Sequence, residues 1–456
     1  MKSSEEFNKI IYEKAGQKKI NARLRMKKYF VVVTAAVILA VSGGAALNIF
    51  LKKDRPGNPN EYKGYLYDKP AFAAQNLMNN INAQPAEVKN IDDIFINAAA
   101  DFSVELFKKS IDEKENSLVS PLSVLLALSM TQNGAAGETL KEMEKAVGRG
   151  ITIDSMNEYL YSYVKSLLST DEAKLSIANS IWFDGNRMDV KKDFLQKNAN
   201  FYGAAAYKAD FNARNTLDDI NNWVKKNTGK MIEKIINEID PNTVMYLINA
   251  IAFDAQWEKP YTKNAVSKAD FISFDKKTSS VDFMYSDENE YIKADGVTGF
   301  VKPYNGGKYE FAALLPDENI NINKFISSLT GEKFVSLLKN SEKGSVQTAT
   351  PKFSYDYSIE LNGVLKGMGM PAAFGADADF KRIGQSTLGN IYIGKVLHKT
   401  FISVDEKGTK AGAATAVLVD AKSMPMEFVN LNRPFVYAIV DRATKLPVFI
   451  GAVMSL

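Results

Sequence analysis

His398 is the only histidine in a chain of 456 residues that has no cysteine. A Ser-His-Asp triad must therefore use His398 or be absent. Thiolate catalysis, Cys-ligated zinc and multi-histidine metal sites are excluded. Ser336–Lys339 ("SLLK") satisfies the Ser-x-x-Lys nucleophile pattern, but the Ser-Asp-Asn and Lys-Thr-Gly motifs that should accompany it are missing. No Gly-x-Ser-x-Gly, phosphate loop or dinucleotide fingerprint occurs. The residues argue against an enzyme, and no cofactor or metal is expected. The stretch with physical content is "GTKAGAATAV", Gly408–Val417, six of whose ten residues are Gly or Ala. In an extended chain alternate residues point to opposite faces. One face reads Thr409, Ala411, Ala413, Thr415, Val417, Val419, Ala421 and carries no charge. The other reads Lys410, Gly412, Ala414, Ala416, Leu418, Asp420, Lys422 and carries every charge of the segment. No proline lies between Gly408 and Lys422, so each N–H is able to join a ladder. The segment reads as a strand to be buried on one face and wet on the other.

The elements that would position such a strand are legible along the body. At 46% hydrophobic and 24% charged residues, the composition is that of a globular chain with a sizeable core. "DDIFINAAADFSVELFKKSI" has apolar residues at helical spacing. Ser120–Gly148 reads as a Ser-Pro helix start, an almost wholly apolar helix, a Gly-rich turn and a second, amphipathic helix. "KLSIANSIWF" (Lys174–Phe183) and "TVMYLINAIAF" (Thr243–Phe253) read as strands buried on both faces. "YEFAALLP" (Tyr309–Pro316) is another strand, and the last quarter alternates β-runs with turns. The expectation is an α+β domain, helix-rich first and strand-rich later.

The N-terminus has a different character. Residues 1–28 carry nine Lys/Arg and three Glu, a net of +6; the whole chain carries +4, so the remainder is 4 − 6 = −2. A basic surface for nucleic acid is therefore not expected on the body. Tyr29–Leu51 contains no charge and as a helix would span about 35 Å, enough to cross a bilayer. The richer positive flank precedes it, so the positive-inside tendency leaves the tail cytoplasmic and the body exported. A cleaved signal peptide, which would leave a secreted body, is the competing reading, with Ser42–Ala46 offering small residues for a peptidase. The organisation expected is a basic tail at 1–28, an anchor at 29–51, a Pro/Gly/Asn-rich spacer at 52–92 and one domain at 93–456.

A run of motifs in this body resembles the serpin family. "NSLVSPLSVLLALSM", "LSIANSIWF", "INNWVKKNTGKMI", "LINAIAFDAQWEKPY", "PKFSYDYSIELNGVLKGMGMPAAF", "HKTFISVDEKGTKAGAATA" and "NLNRPFVYAIVDRATKLPVFIGAV" occur in family order over about 360 residues. The resemblance implies one domain of three β-sheets and eight or nine helices with an exposed reactive loop, monomeric, acting on a serine protease. It implies that the target cleaves the loop and that the segment before the cut then enters the main sheet as a new strand. The hinge would comprise Glu406, Gly408, Thr409, Ala411, Ala413, Ala414 and Thr415. Counting about sixteen positions from Glu406 puts the reactive bond at Lys422-Ser423. A Lys there suits the acidic pocket of a trypsin-like protease; were Ala421 the site, an elastase- or subtilisin-like target would follow. Ser120, Ser123, Asn249 and His398 match the family's shutter cluster beneath the parting strands. Trp257 matches the tryptophan at the top of the opening, the breach. A member that binds or scaffolds without inhibiting is the rival reading. Such members usually carry bulky, charged or proline residues on the inserting face, and Thr409, Ala411, Ala413 and Thr415 are none of these. Lys410 departs from the small or acidic residue usual there, but lies on the other face.

Overall fold

A computed structural model describes residues 74–167, 173–240, 243–387, 389–409 and 427–456. In chain order the elements are β1 (Gln75–Asn76), α1 (Asp93–Ser110), β2 (Ser117–Val119), α2 (Pro121–Gln132), α3 (Gly137–Ala146), α4 (Ile153–Leu167) and β3 (Ala173–Asp184). There follow β4 (Met188–Val190), α5 (Lys192–Tyr202), β5 (Ala205–Ala209), α6 (Arg214–Asn227) and β6 (Met245–Gln256). Strands β7 (Val266–Ile272), β8 (Thr278–Ala294), β9 (Val297–Pro303) and β10 (Tyr309–Pro316) lead to α7 (Ile322–Ser328) and α8 (Gly331–Lys339). The chain closes with β11 (Glu342–Pro351), β12 (Phe353–Glu360), α9 (Asn362–Gly367), β13 (Gly384–Ser386), β14 (Lys395–Val404), β15 (Gly408–Thr409), β16 (Glu427–Asn430), β17 (Phe435–Asp441) and β18 (Pro447–Val453).

Among the described residues these make nine α-helices and three sheets, of seven, nine and two strands. The seven-stranded sheet runs β1-β5-β3-β6-β15-β14-β12. Its middle strand β6 is buried along its first nine residues because both faces are covered. On one side the odd residues Leu247, Ile251 and Phe253 join the main core with α2. On the other the even residues Tyr246, Ile248 and Ala250 form a second core with Ile220, Trp223 and Val224 of α6. Helix α2 has no polar face, and all twelve of its residues are buried. A helix apolar all round is stable only in such a position. Gly451 of β18 is required by close approach, since a Cβ there would lie 2.6 Å from the Ser117 carbonyl oxygen and 2.8 Å from the Tyr437 ring.

Two expectations are modified. Part of the stretch read as a spacer, residues 74–92, is built into the body: Gln75 and Asn76 pair with Lys208 and Tyr207 at the sheet edge, and Gln84 N–H donates to the Asn200 side chain. Residues too polar to show periodicity can still add a strand, because the ladder uses only backbone groups. The segment 29–51 read as an anchor lies outside the described residues. No described helix is long and apolar enough to cross a membrane.

Candidate functional site

The site lies where β6 and β14 part. The two strands run parallel and pair from Lys395↔Tyr246 to Lys399↔Ala250. Above that the separating element is β15, whose Gly408 and Thr409 pair antiparallel with Gln256 and Ala255 while Thr409 pairs with Val404 of β14. Gly408 is needed because a Cβ would fall 2.1 Å from the Ala255 carbonyl oxygen. Thr409 is buried at 2% exposure, and its hydroxyl meets the Tyr304 hydroxyl. The period-2 reading that sends Thr409 inward thus agrees with its burial.

Trp257 forms the roof. Its indole N–H donates to the Asp405 carbonyl at 2.9 Å, and its backbone N–H donates to the Lys407 carbonyl. The Tyr261 N–H donates to the Glu406 carbonyl. Trp257 stacks on Tyr304 with centroids 4.5 Å apart. Beneath these rings the Lys302 ammonium, 2% exposed, pairs with Glu288 at 2.6 Å and lies 4.3 Å from the Tyr261 ring centre. A buried charge is tolerable only when paired in this way. Glu406 pairs with Lys352 at 2.7 Å, and that hydrogen bond holds its carboxyl below the usual range. Partly exposed, the pair contributes little to stability.

The lower cluster sits under the closed part of the gap. Ser120 caps α2, accepting from the Ser123 N–H at 3.4 Å, and its hydroxyl donates to the Val448 carbonyl at 2.7 Å. The Ser120 N–H donates to His398 Nε2 at 3.0 Å. The Ser123 hydroxyl donates to Asn249 Oδ1, and the Asn249 amide donates back to the Ser123 carbonyl at 2.7 Å and to Asn179 Oδ1. The four residues named from the sequence therefore do meet. Since Nε2 accepts, the proton of neutral His398 is on Nδ1, which has no partner among the described residues. Burial pushes the imidazole pKa down to about 4.

Sequence reasoning missed Asn179, Tyr304, Tyr261, Lys352 and the Lys302–Glu288 pair. Asn179 had a signal, an amide in the middle of an apolar strand run. The others become neighbours only through the fold. Ala411, Ala413, Ala414, Thr415, Lys422 and Ser423 lie outside the described residues. One expectation about the inserting segment is corrected. The sheet face opposite the main core is not wet throughout, because α6 covers it at Tyr246, Ile248 and Ala250. Among the described residues no group of three or more His, Asp or Glu could hold a metal ion.

The histidine makes stability pH-dependent in a defined direction. An unfolded imidazole binds its proton near pH 6.5 and the folded one only near 4. Between those values the unfolded state holds more protons, so stability falls as pH drops from 6.5 to 4 and levels off below. The His398 contribution amounts to about 3 kcal/mol. Thermal unfolding followed from pH 7 to 4 should show this fall, and His398→Gln, which keeps an acceptor for the Ser120 N–H, should lack the histidine's share of it.

Comparison with known proteins accords with this arrangement. The family model described as Serpin (serine protease inhibitor) matches residues 97–456. A serpin-like protein of Thermococcus kodakarensis is 30% identical over 369 residues, covering 79% of this chain and 85% of its own length. The crystal structure of the thermophilic serpin tengpin in the native state is 54% identical, with a TM-score of 0.81 over 84% of this chain and 100% of that one. Tengpin in the latent state superposes at 0.73 with 51% identity, over 81% of this chain and all of that one. A polar shutter beneath parting strands, a tryptophan roof and a family match through the C-terminus lead to one conclusion: the chain belongs to the serpin family of serine protease inhibitors.

Proposed function

We propose that this protein is a suicide-substrate inhibitor of trypsin-like serine proteases, attacked at Lys422-Ser423 and held outside the membrane by an anchor at residues 29–51. The observation that carries the inhibitory reading is the two-residue strand Gly408–Thr409 already seated between β6 and β14. Continuing its register downward sets Ala411 between Phe253 and Ile402, Ala413 between Ile251 and Thr400, and Thr415 between Asn249 and His398. All these β14 partners point into the core. The Thr415 hydroxyl would come beside His398 Nδ1, which lacks an acceptor among the described residues. On the opposite face Ala414 and Ala416 would meet Ala250 and Ile248, which pack in the core beneath α6. A dozen ladder bonds at about 1 kcal/mol each would release on the order of ten kcal/mol, enough to make insertion effectively irreversible. The acyl-enzyme formed at Lys422 would be carried along before water could release it. The uncharged stretch 29–51 and its basic flank support the anchor.

Incubation with trypsin should yield an SDS-stable complex and a released peptide beginning at Ser423. Thr409→Arg should abolish the complex and give simple cleavage, because a charge would be driven onto the buried face at the first step. Clean cleavage of the wild type without a complex would overturn inhibition and favour the binding role.

The register also gives Lys410 a partner. It would stand directly opposite Asp254, which neighbours Lys174 on the other side. An opposite-charge pair across strands contributes about 0.2–1 kcal/mol. Lys410→Glu should therefore shift the partition from complex toward cleaved inhibitor by up to about fivefold. Adding Asp254→Lys to that variant should restore it, as read from the moles of inhibitor consumed per mole of trypsin blocked.

A further inference from the structure

We infer that Asn305-Gly306, in the turn between β9 and β10, is a site of spontaneous modification, where the asparagine converts to aspartate and isoaspartate beside the brace of the hinge. The sequence has three Asn-Gly pairs, beginning at Asn133, Asn305 and Asn362. Such pairs are prone to this reaction because glycine has no Cβ to hinder attack by its backbone nitrogen on the asparagine side chain. The fold gives the three different surroundings. Asn133 is buried at 4% exposure, and its side chain exchanges two hydrogen bonds with that of Asn157, at 3.1 and 2.8 Å. The nitrogen that would attack it is also engaged, since the Gly134 N–H donates to the Thr131 carbonyl at 2.8 Å. The Asn362 amide donates to the Gly394 carbonyl at 2.7 Å, and its Oδ1 accepts from the Val396 N–H at 2.9 Å. Asn305 and Gly306 are exposed. The Gly306 N–H donates to Asn305 Oδ1 at 2.9 Å and, among the described residues, to no main-chain carbonyl. The side chain is thus already folded against the nitrogen that would attack it. Gly306 and Gly307 both have positive φ, 85° and 66°, and successive glycines leave the backbone free to close a ring.

The reaction needs only water. The Gly306 nitrogen bonds to Asn305 Cγ, the Cγ–Nδ2 bond breaks, and ammonia leaves with the proton from the Gly306 N–H. Water then opens the resulting succinimide. Attack at Cγ restores the ordinary main chain and leaves an aspartate. Attack at the main-chain carbonyl carbon breaks its bond to Gly306, so that the chain runs through the former side chain as an isoaspartate. The place gives the change its consequence. The Asn305 N–H donates to the Gln256 carbonyl at 2.8 Å, and Gln256 pairs with Gly408 of β15. Tyr304, the preceding residue, meets the Thr409 hydroxyl. The bond from the Gly307 N–H to the Tyr304 carbonyl, at 3.3 Å, spans the altered linkage. A carboxylate and a lengthened main chain would therefore enter next to the residues that hold the start of the hinge.

The test incubates the full chain in mildly alkaline buffer and follows the three Asn-Gly peptides by mass spectrometry. Isoaspartate is counted by enzymatic methylation of its free α-carboxylate. Conversion at Asn305 should outrun that at Asn133 and Asn362 by at least about tenfold, because each of those must first lose two side-chain hydrogen bonds. In the urea-unfolded chain the three should convert within about threefold of one another. Asn305→Gln should remove the methylation signal of the folded chain and leave the other two peptides as in wild type. Comparable rates at the three positions of the folded chain would overturn the inference. So would a rate at Asn305 more than about tenfold slower in the folded chain than in the unfolded one, since the turn would then protect the side chain.

Discussion

Strands β6 and β14 share five ladder positions, and above them the two diverge to admit the two-residue strand β15 between them. Among the described residues Ile251, Ala252 and Phe253 have no ladder partner on that edge. The divergence of two strands at the centre of a sheet is the constraint around which the rest of the described body is arranged. The core on the α2 side and the core on the α6 side each hold one part of β6 rigid. The divergence is therefore a local feature and not a general loosening of the sheet.

Two polar groupings flank the divergence. Below, Ser120, Ser123, Asn249, Asn179 and His398 bridge α2, β3, β6 and β14, so the strands cannot separate without breaking buried hydrogen bonds. Such bonds are modest when made and costly when one partner is left unsatisfied. Above, Trp257, Tyr261 and Tyr304 hold the start of the hinge by its backbone carbonyls and by the Thr409 hydroxyl, over the buried Lys302–Glu288 pair. A buried ion pair adds little net stability over apolar residues of similar size, but losing one member is expensive. The pair makes the aromatic roof hard to rearrange piecemeal.

Much of this was legible in the residues. The wholly apolar stretch of α2 demanded a central position, and Ser120 before Pro121 marked its start. The uninterrupted apolar run of β6 demanded cover on both faces. The alternation beginning at Thr409 pointed that side chain inward, where it is found. The meeting of Ser120, Ser123, Asn249 and His398 was available only through family resemblance, because residues more than a hundred positions apart carry no local sign of contact. Asn179 announced itself as a polar residue within an apolar strand, but not its partner. Residues 75 and 76 joined the sheet through backbone groups, which composition does not reveal.

The sequence by itself determined what each segment could tolerate. It settled which faces are apolar, where proline and charge are kept out, and that one histidine and no cysteine leave no multi-histidine or Cys-ligated metal site and no triad without His398. Tertiary structure alone decided which faces meet. The sheet face that the alternation after Gly408 read as wet is covered by α6 at Tyr246, Ile248 and Ala250 of β6. The charges at 288 and 302, ordinary on paper, are sealed beneath an indole. Periodicity reports the environment a side chain prefers within its own element. Burial depends on a second element folding over the first, and that is a property of the long-range packing.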